Sequence, residues 1–168
     1  MIAADSLTEL HTWVDASYAV HNDMKSHTGG AMSLSRGVFS TKSTKQKLNT
    51  KSSTEAEVVG VNDYLPSTIW TTIFLSHQGI DLKESTLDQD NTSAMKMERN
   101  GRDSCSQRSR HIDIRYFWIK DRLQNETNKL EYCPTEMMLV DFFIKPLKGA
   151  VFHKFRDVIR WDGRLLNH

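Results

Sequence analysis

The sequence predicts an α/β domain in which a mixed five-stranded sheet, three antiparallel strands followed by two parallel ones, is flanked by helices. Three observations lead there. Three short runs of strand-forming residues crowd together before residue 44, and one long segment of helical periodicity follows, opening at Ser52 to Thr54 and reaching Leu75. Beyond it, strand-like and helix-like segments alternate, and a strand reached through a helix returns parallel to its predecessor.

The first strand is Leu10-His11-Thr12-Trp13-Val14-Asp15-Ala16, rich in β-branched and aromatic residues and carrying a carboxylate toward its C-terminal end. After a polar loop through Asn22, Asp23 and Lys25, the pair Gly29-Gly30 opens a second run, Ala31 to Ser35. Arg36-Gly37 then offers a two-residue turn into Val38 to Ser43, so these two runs form a hairpin. Thr44 to Thr50 has no periodicity and reads as a basic loop containing Lys45 and Lys47.

Ser53 or Thr54 can cap the main helix, because a hydroxyl accepts a free backbone N–H of the first turn, and Thr54 to Glu57 has capping-box spacing. Val58, Val61, Leu65, Ile69 and Ile73 recur along one stripe, and Gly79 supplies a stop. Pro66 lies inside, where a missing N–H and a bulky ring predict a kink or interruption. Glu84 to Asp90 is the fourth strand. Asn91 to Glu98 starts a helix, Asn100 to Ser104 breaks it, and Arg108 to Leu123 is helical again. Asn128 to Cys133 is the fifth strand, stopped by Pro134, after which Thr135 could cap a last helix through Phe142.

At 168 residues the chain reads as one domain with a substantial core. Lys and Arg number 22 against 21 for Asp and Glu, so any basic surface must be local. Cys105 and Cys133 lack metal-ligand spacing and are too few for a disulfide scaffold, so they read as half-buried thiols in a reducing compartment. No apolar run reaches the roughly 18 residues of a membrane span, and no basic-then-apolar leader opens the chain. These features predict no membrane partner and an intracellular, non-secreted protein.

The acidic residues carry the chemistry. Asp15, Asp90 and Asp141, with Glu55 and Glu57, stand at strand ends or helix starts, where an α/β sheet gathers side chains from distant parts of the chain. Hard divalent cations take oxygen ligands and need several carboxylates to offset their charge. Two such ions about 4 Å apart can activate water and stabilise the leaving oxygen in phosphodiester cleavage. Singly, each carboxylate reads as a solvated side chain. The set points to one metal site, with Glu55 and Glu57 of equal standing on helical geometry.

Six motifs resemble the ribonuclease H domain of copia-type LTR retrotransposon Pol polyproteins, in that family's order. They are Trp13-Val14-Asp15-Ala16-Ser17; Ser26-His27-Thr28-Gly29; Ser52-Ser53-Thr54-Glu55-Ala56-Glu57; Asp90-Asn91-Thr92-Ser93-Ala94; His111 to Phe117; and Leu139-Val140-Asp141-Phe142-Phe143-Ile144-Lys145-Pro146-Leu147. They span about residues 10–146, leaving 147–168 as a C-terminal extension of the single domain 1–168.

The resemblance implies a ribonuclease H-like fold and an endonuclease that cleaves the RNA strand of RNA–DNA hybrids with two Mg²⁺ ions, Mn²⁺ being an alternative. Asp15, Glu57, Asp90 and Asp141 are the implied metal and catalytic residues. Glu55 is then a first-turn residue favoured by the helix dipole, and Asp88 is structural or partly exposed. His111 and Asp113 are candidates for proton transfer, although packing fits their place beside the site in the family. Arg99, Arg102, Arg108 and Arg110, or Lys42, Lys45 and Lys47, could meet a phosphate backbone or form a solvated face. Trp70, Trp118, Met95 and Met97 read as core.

The implied partners are an RNA–DNA hybrid and a reverse transcriptase domain of the same polyprotein, in the cytoplasm, virus-like particles or the nucleus. Val58, Pro66 and Ile144 depart from the family pattern, and Pro66 puts the placement of Glu57 in question. The rival reading is a catalytically inactive or host-adopted domain that binds nucleic acid or protein.

Overall fold

The computed structural model describes residues 8–34, 37–100, 113–125 and 128–160. Its strands are β1 (Glu9–Ser17), β2 (His27–Leu34), β3 (Val38–Lys45), β4 (Glu84–Gln89) and β5 (Asn128–Tyr132). The helices are α1 (Ser53–His77), α2 (Thr92–Asn100), α3 (Asp113–Asn125), α4 (Asp141–Ile144) and α5 (Gly149–Arg160). The sheet order is β3-β2-β1-β4-β5, antiparallel through the first three and parallel from β1 to β4 and from β4 to β5. The mixed sheet is therefore as the sequence predicts. Arg36, Arg102, Cys105, Arg108, Arg110 and His111 lie outside the described residues, as does the side chain of Asp113.

β2 begins at His27, earlier than the pattern suggests, because its two glycines are strand residues with steric tasks and not an opening turn. A Cβ at Gly30 would run into the Tyr64 ring of α1. A Cβ at Gly29 would overlap Ile144 and come within 2.9 Å of Val140 Cγ2. Each glycine thus lets one element close on the sheet, α1 on one face and α4 on the other, as successive strand positions face opposite ways. Likewise β3 continues to Lys45, into the stretch that reads as a loop, since residues 40–45 stay in register with β2 from His27 to Met32.

The main helix is capped one residue before Ser53 and two before Thr54, the predicted caps: Ser52 is the N-cap and its hydroxyl accepts from Glu55 N at 3.2 Å. Glu55 Oε2 in turn accepts from Lys51 N, one residue before the cap, at 2.7 Å, so a box-like arrangement is built on Ser52 and Glu55 and not on Thr54 and Glu57. At the other end Gly79 has φ +78°, with Ile80 N donating to Leu75 O and Gly79 N to Ser76 O, a Schellman closure.

Between these ends α1 runs unbroken through Pro66. The proline is exposed, so its ring points where no neighbour resists it, and the Lys42 ammonium donates to the Asp63 carbonyl in the adjoining turn at 3.2 Å. Leu10, Val14, Val58, Val61, Leu65, Leu87 and Ile119 form the core between sheet and helices, with Trp118 and Met97 packed against it. Trp70 is an exception to its predicted burial: it is 64% exposed and stacks on exposed Phe74. Ile73, assigned to the buried stripe, is also exposed.

The helix predicted from Thr135 through Phe142 is instead two pieces, and a further helix, α5, lies in the C-terminal extension. Thr135–Met137 is a single 3₁₀ turn with Pro134 before it and no side-chain cap, and α4 and α5 follow separately. Pro146, between them, cannot continue a helix. Met138, Val140 and Cys133 pack with Trp13 and Phe143 in a second cluster. Burial there pushes the Cys133 thiol up to about 12, which makes it inert.

Candidate metal centre

Three elements bring carboxylates together. In the parallel register Trp13 of β1 lies beside Asp88 of β4, so two residues further on Asp15 comes level with Asp90, just past the end of β4. Asp90 is followed by Asn91, whose side-chain oxygen accepts from Ser93 N and Ala94 N, both at 3.1 Å. That cap turns the chain into α2 directly after the carboxylate. Glu57, in the buried opening turns of α1, completes the set. One carboxylate oxygen from each of Asp15, Glu57 and Asp90 lies within 4.8 Å of the others. Asp15 and Glu57 are buried, Asp90 partly so.

Glu55 is directed elsewhere, to Lys51 N, and Asp88 faces His11 with Oδ2 3.7 Å from Nδ1. Asp141, the fourth predicted ligand, is buried on α4 and flanks Asp15, outside the three-residue cluster. Besides contacting Asp15 directly, it shares Lys145 with it. The ammonium donates to Asp141 Oδ1 at 2.7 Å and lies 2.9 Å from Asp15 Oδ2. The second contact is an ion pair without hydrogen-bond alignment, since Asp15 Oδ2 has no hydrogen-bond partner. Asp15 Oδ1 accepts from Ala16 N, and Asp90 Oδ2 from the Thr135 hydroxyl at 3.0 Å.

The electrostatics follow this crowding. Burial raises Glu57 well above the usual carboxylate range, and the charge of Asp15 adds to it. Burial, then Asp15, also raise Asp90. Asp15 itself is held low: burial opposes its ionisation, but hydrogen-bonding contact with Glu57 and Asp141 and the Lys145 charge outweigh it. Burial raises Asp141 against the pull of Lys145, and Asp15 raises it further. Lys145 keeps its proton more firmly than an ordinary lysine, burial being offset by its two carboxylate partners.

A divalent cation fits the chemistry of this donor set. The oxygens are hard, they come from three parts of the chain, and one of them, Glu57 Oε2, is buried without a hydrogen-bond partner. Sequence reasoning missed Lys145, Gly29 and Thr135. Lys145 was in principle findable, four residues after Asp141, a spacing that pairs opposite charges on a helix.

Lys42, Lys45, Lys47 and Arg115 line a groove of about 580 Å³. Lys45 is tied to Asp23 at 2.7 Å. Arg99 donates to Leu130 O at 2.5 Å, so it is held against β5.

No protein-family model matches the chain. It is 28% identical over 156 residues to the retrovirus-related Pol polyprotein from transposon TNT 1-94 of Nicotiana tabacum, covering 93% of this chain and 12% of that protein. It is 30% identical over 152 residues to the corresponding polyprotein from transposon RE1 of Arabidopsis thaliana, covering 89% and 10%. The chain thus spans about a tenth of the length of the curated relatives it matches.

Among solved structures, it is similar to the N-terminal RNase H domain of a Mycobacterium tuberculosis protein, solved as a maltose binding protein fusion. The TM-score is 0.58 at 8% identity, covering 89% of this chain and 97% of that one. LC11-RNase H1, solved in complex with RNA/DNA hybrid, aligns with TM-score 0.56 at 10% identity, covering 80% and 93%.

Proposed function

We propose, for a chain homologous to the retrovirus-related Pol polyproteins of plant copia-type transposons and folded like the RNase H domains, that it cleaves the RNA strand of RNA–DNA hybrids by metal-dependent hydrolysis. The observation that carries this is the convergence of Asp15, Glu57 and Asp90 from β1, α1 and the end of β4. In this reading those three residues with Asp141 hold two Mg²⁺ ions, or Mn²⁺ in their place. Bound divalent ions would activate water and offset charge on the phosphate.

The chain's own residues supply the rest. Asp15, ionised and shared between both flanks of the centre, is the anchor. The Thr135 hydroxyl orients Asp90. The groove with Lys42, Lys45, Lys47 and Arg115 offers cations for a nucleic-acid backbone, and the 2′-hydroxyls of a hybrid are what would distinguish it from DNA. The Pol polyprotein relatives make a reverse transcriptase domain of the same polyprotein the natural partner, inside the cell. Among the described residues no helix is long and apolar enough to cross a membrane.

The test is cleavage of a labelled RNA–DNA hybrid with Mg²⁺ by the wild type and by Asp15→Asn. Cutting by the wild type and loss in the variant is the expected result. No wild-type cutting overturns the enzyme reading, and binding without cutting leaves the inactive, hybrid-binding domain.

A further inference from the structure

The two flanks of Asp15 are not alike. Toward Glu57 and Asp90 it meets carboxylates, with Glu57 Oε2 buried and unpartnered. Toward Asp141 it meets the Lys145 ammonium, 2.9 Å from Asp15 Oδ2 and 2.7 Å from Asp141 Oδ1. A Mg²⁺ ion sits about 2.0–2.1 Å from its oxygen ligands. No such ion can bridge Asp15 and Asp141 while the ammonium stands between them. The position that would take a second cation is filled by a cation of the chain.

We propose that Lys145 is a tethered counter-ion in the second cation position. The substrate-free protein then takes one divalent ion, on Asp15, Glu57 and Asp90. It takes a second only when Lys145 is drawn away. This inference rests on the metal-centre reading above and adds an order of loading to it.

The geometry favours displacement. The Asp15 and Asp141 side chains are 3% and 6% exposed, whereas that of Lys145 is 36% exposed, so the ammonium reaches in from the solvent side on a flexible stem. It follows α4 as its C-cap residue in extended backbone, and its pairing with Asp15 lacks hydrogen-bond alignment. An incoming phosphodiester offers the ammonium an alternative anion. Moving there, Lys145 would expose Asp15 Oδ2 and Asp141 Oδ1 to a second ion while adding a positive charge at the substrate backbone.

The experiment is a Mn²⁺ titration of the full, substrate-free chain, with free Mn²⁺ followed by electron paramagnetic resonance. The wild type and Lys145→Arg should each bind one ion. Lys145→Met, of similar length without the charge, should bind a second one about tenfold more tightly than the wild type does, the scale of one unit charge at contact distance in water. Its metal-free unfolding midpoint should drop and be recovered by Mn²⁺.

Two ions of comparable affinity in the free wild type, or a Lys145→Met protein still limited to one, overturn the inference and leave the metal centre standing. A wild-type count of two overturns the inference even if the methionine variant fails to fold. Glu57→Gln keeps the Asp15–Lys145–Asp141 arrangement and should lose the single ion. If it binds that ion as the wild type does, or the wild type binds none, the metal-centre reading falls and this inference with it.

Discussion

Two helices each bury a glutamate with oxygen atoms that lack hydrogen-bond partners, and the two sites call for opposite remedies. Glu57 of α1, 5% exposed, lies among Asp15 and Asp90, and their shared negative charge calls for a cation. Glu98 of α2, 0% exposed, belongs to no such cluster among the described residues. Burial pushes it up to about 8, against the Gln89 amide and the Arg99 charge, so at neutral pH it answers its burial by keeping a proton. A carboxylate inside the cluster and one outside it, near enough for its charge to act on Glu57, thus look alike by exposure and differ by their immediate neighbours.

The largest effect that could break this contrast is in stability against pH. Glu98 titrates higher in the folded than in the unfolded chain. Its contribution is therefore fully present below the unfolded value near 4.5 and is lost as pH rises through about 8. Glu98→Gln removes that slope and should make the protein roughly 2–5 kcal/mol more stable relative to wild type at pH 8.5 than at pH 4.5, by denaturant unfolding. Its Mn²⁺ binding should be that of the wild type. Saturating Mn²⁺ should flatten the share of the slope that comes from Glu57 and leave the share from Glu98. If Glu98→Gln also loses the ion, Glu98 is part of the centre and the contrast collapses.

How much of this was legible in the sequence follows from what each feature depends on. Strand runs and the long helix are local patterns, so the mixed sheet and the β1 and β4 positions of Asp15 and Asp90 could be read directly. Glu55 and Glu57 could not be separated by helical periodicity, because α1 is buried throughout residues 55–61 and no single stripe marks the inner face. Only the tertiary contacts distinguish a glutamate aimed at Lys51 N from one aimed at Asp15.

Pro66 misled for a related reason. Its cost depends on which side of the helix it occupies, and it lies on the outside. The pairing of Lys145 with Asp141 is legible as an i,i+4 spacing, but its reach to Asp15 is not, because such a pair reads as an ordinary surface one until β1 and α4 are seen to converge.

A middle-sized effect separates the two flanks of Asp15. Gly29 is opposite Asp15 in the β1–β2 register, and its missing side chain is what admits Val140 and Ile144. Gly29→Ala should push α4 outward and cost about 1–3 kcal/mol, the usual scale of overpacking. Cleavage should fall, because Asp141 and Lys145 travel with α4. The single Mn²⁺ site of the free protein should survive, since the atoms that a Cβ there would meet belong to Val140 and Ile144 and not to β1, α1 or the end of β4. Loss of the ion as well would place Asp141 among the ligands of the first site and erase the distinction between the flanks.

The smallest effect concerns what holds Glu57 in place. Ser52→Ala removes the hydroxyl that accepts from Glu55 N, and should cost about 1 kcal/mol, seen as a lower unfolding midpoint. The opening turns of α1 are also held by tertiary contact: Ala56, Val58, Val59 and Val61 are each at most 1% exposed, and the Gln46 side-chain amide donates to Ala56 O at 2.8 Å. Glu57 is therefore gripped by packing on both sides along the chain. Mn²⁺ affinity in Ser52→Ala should stay within about twofold of wild type, as a change in local helix stability alone would not reach a turn fixed from outside. A larger drop would mean that the cap positions the carboxylate. Glu57 would then depend on the N-cap of its helix, while Glu98, in the last turn of α2, would not.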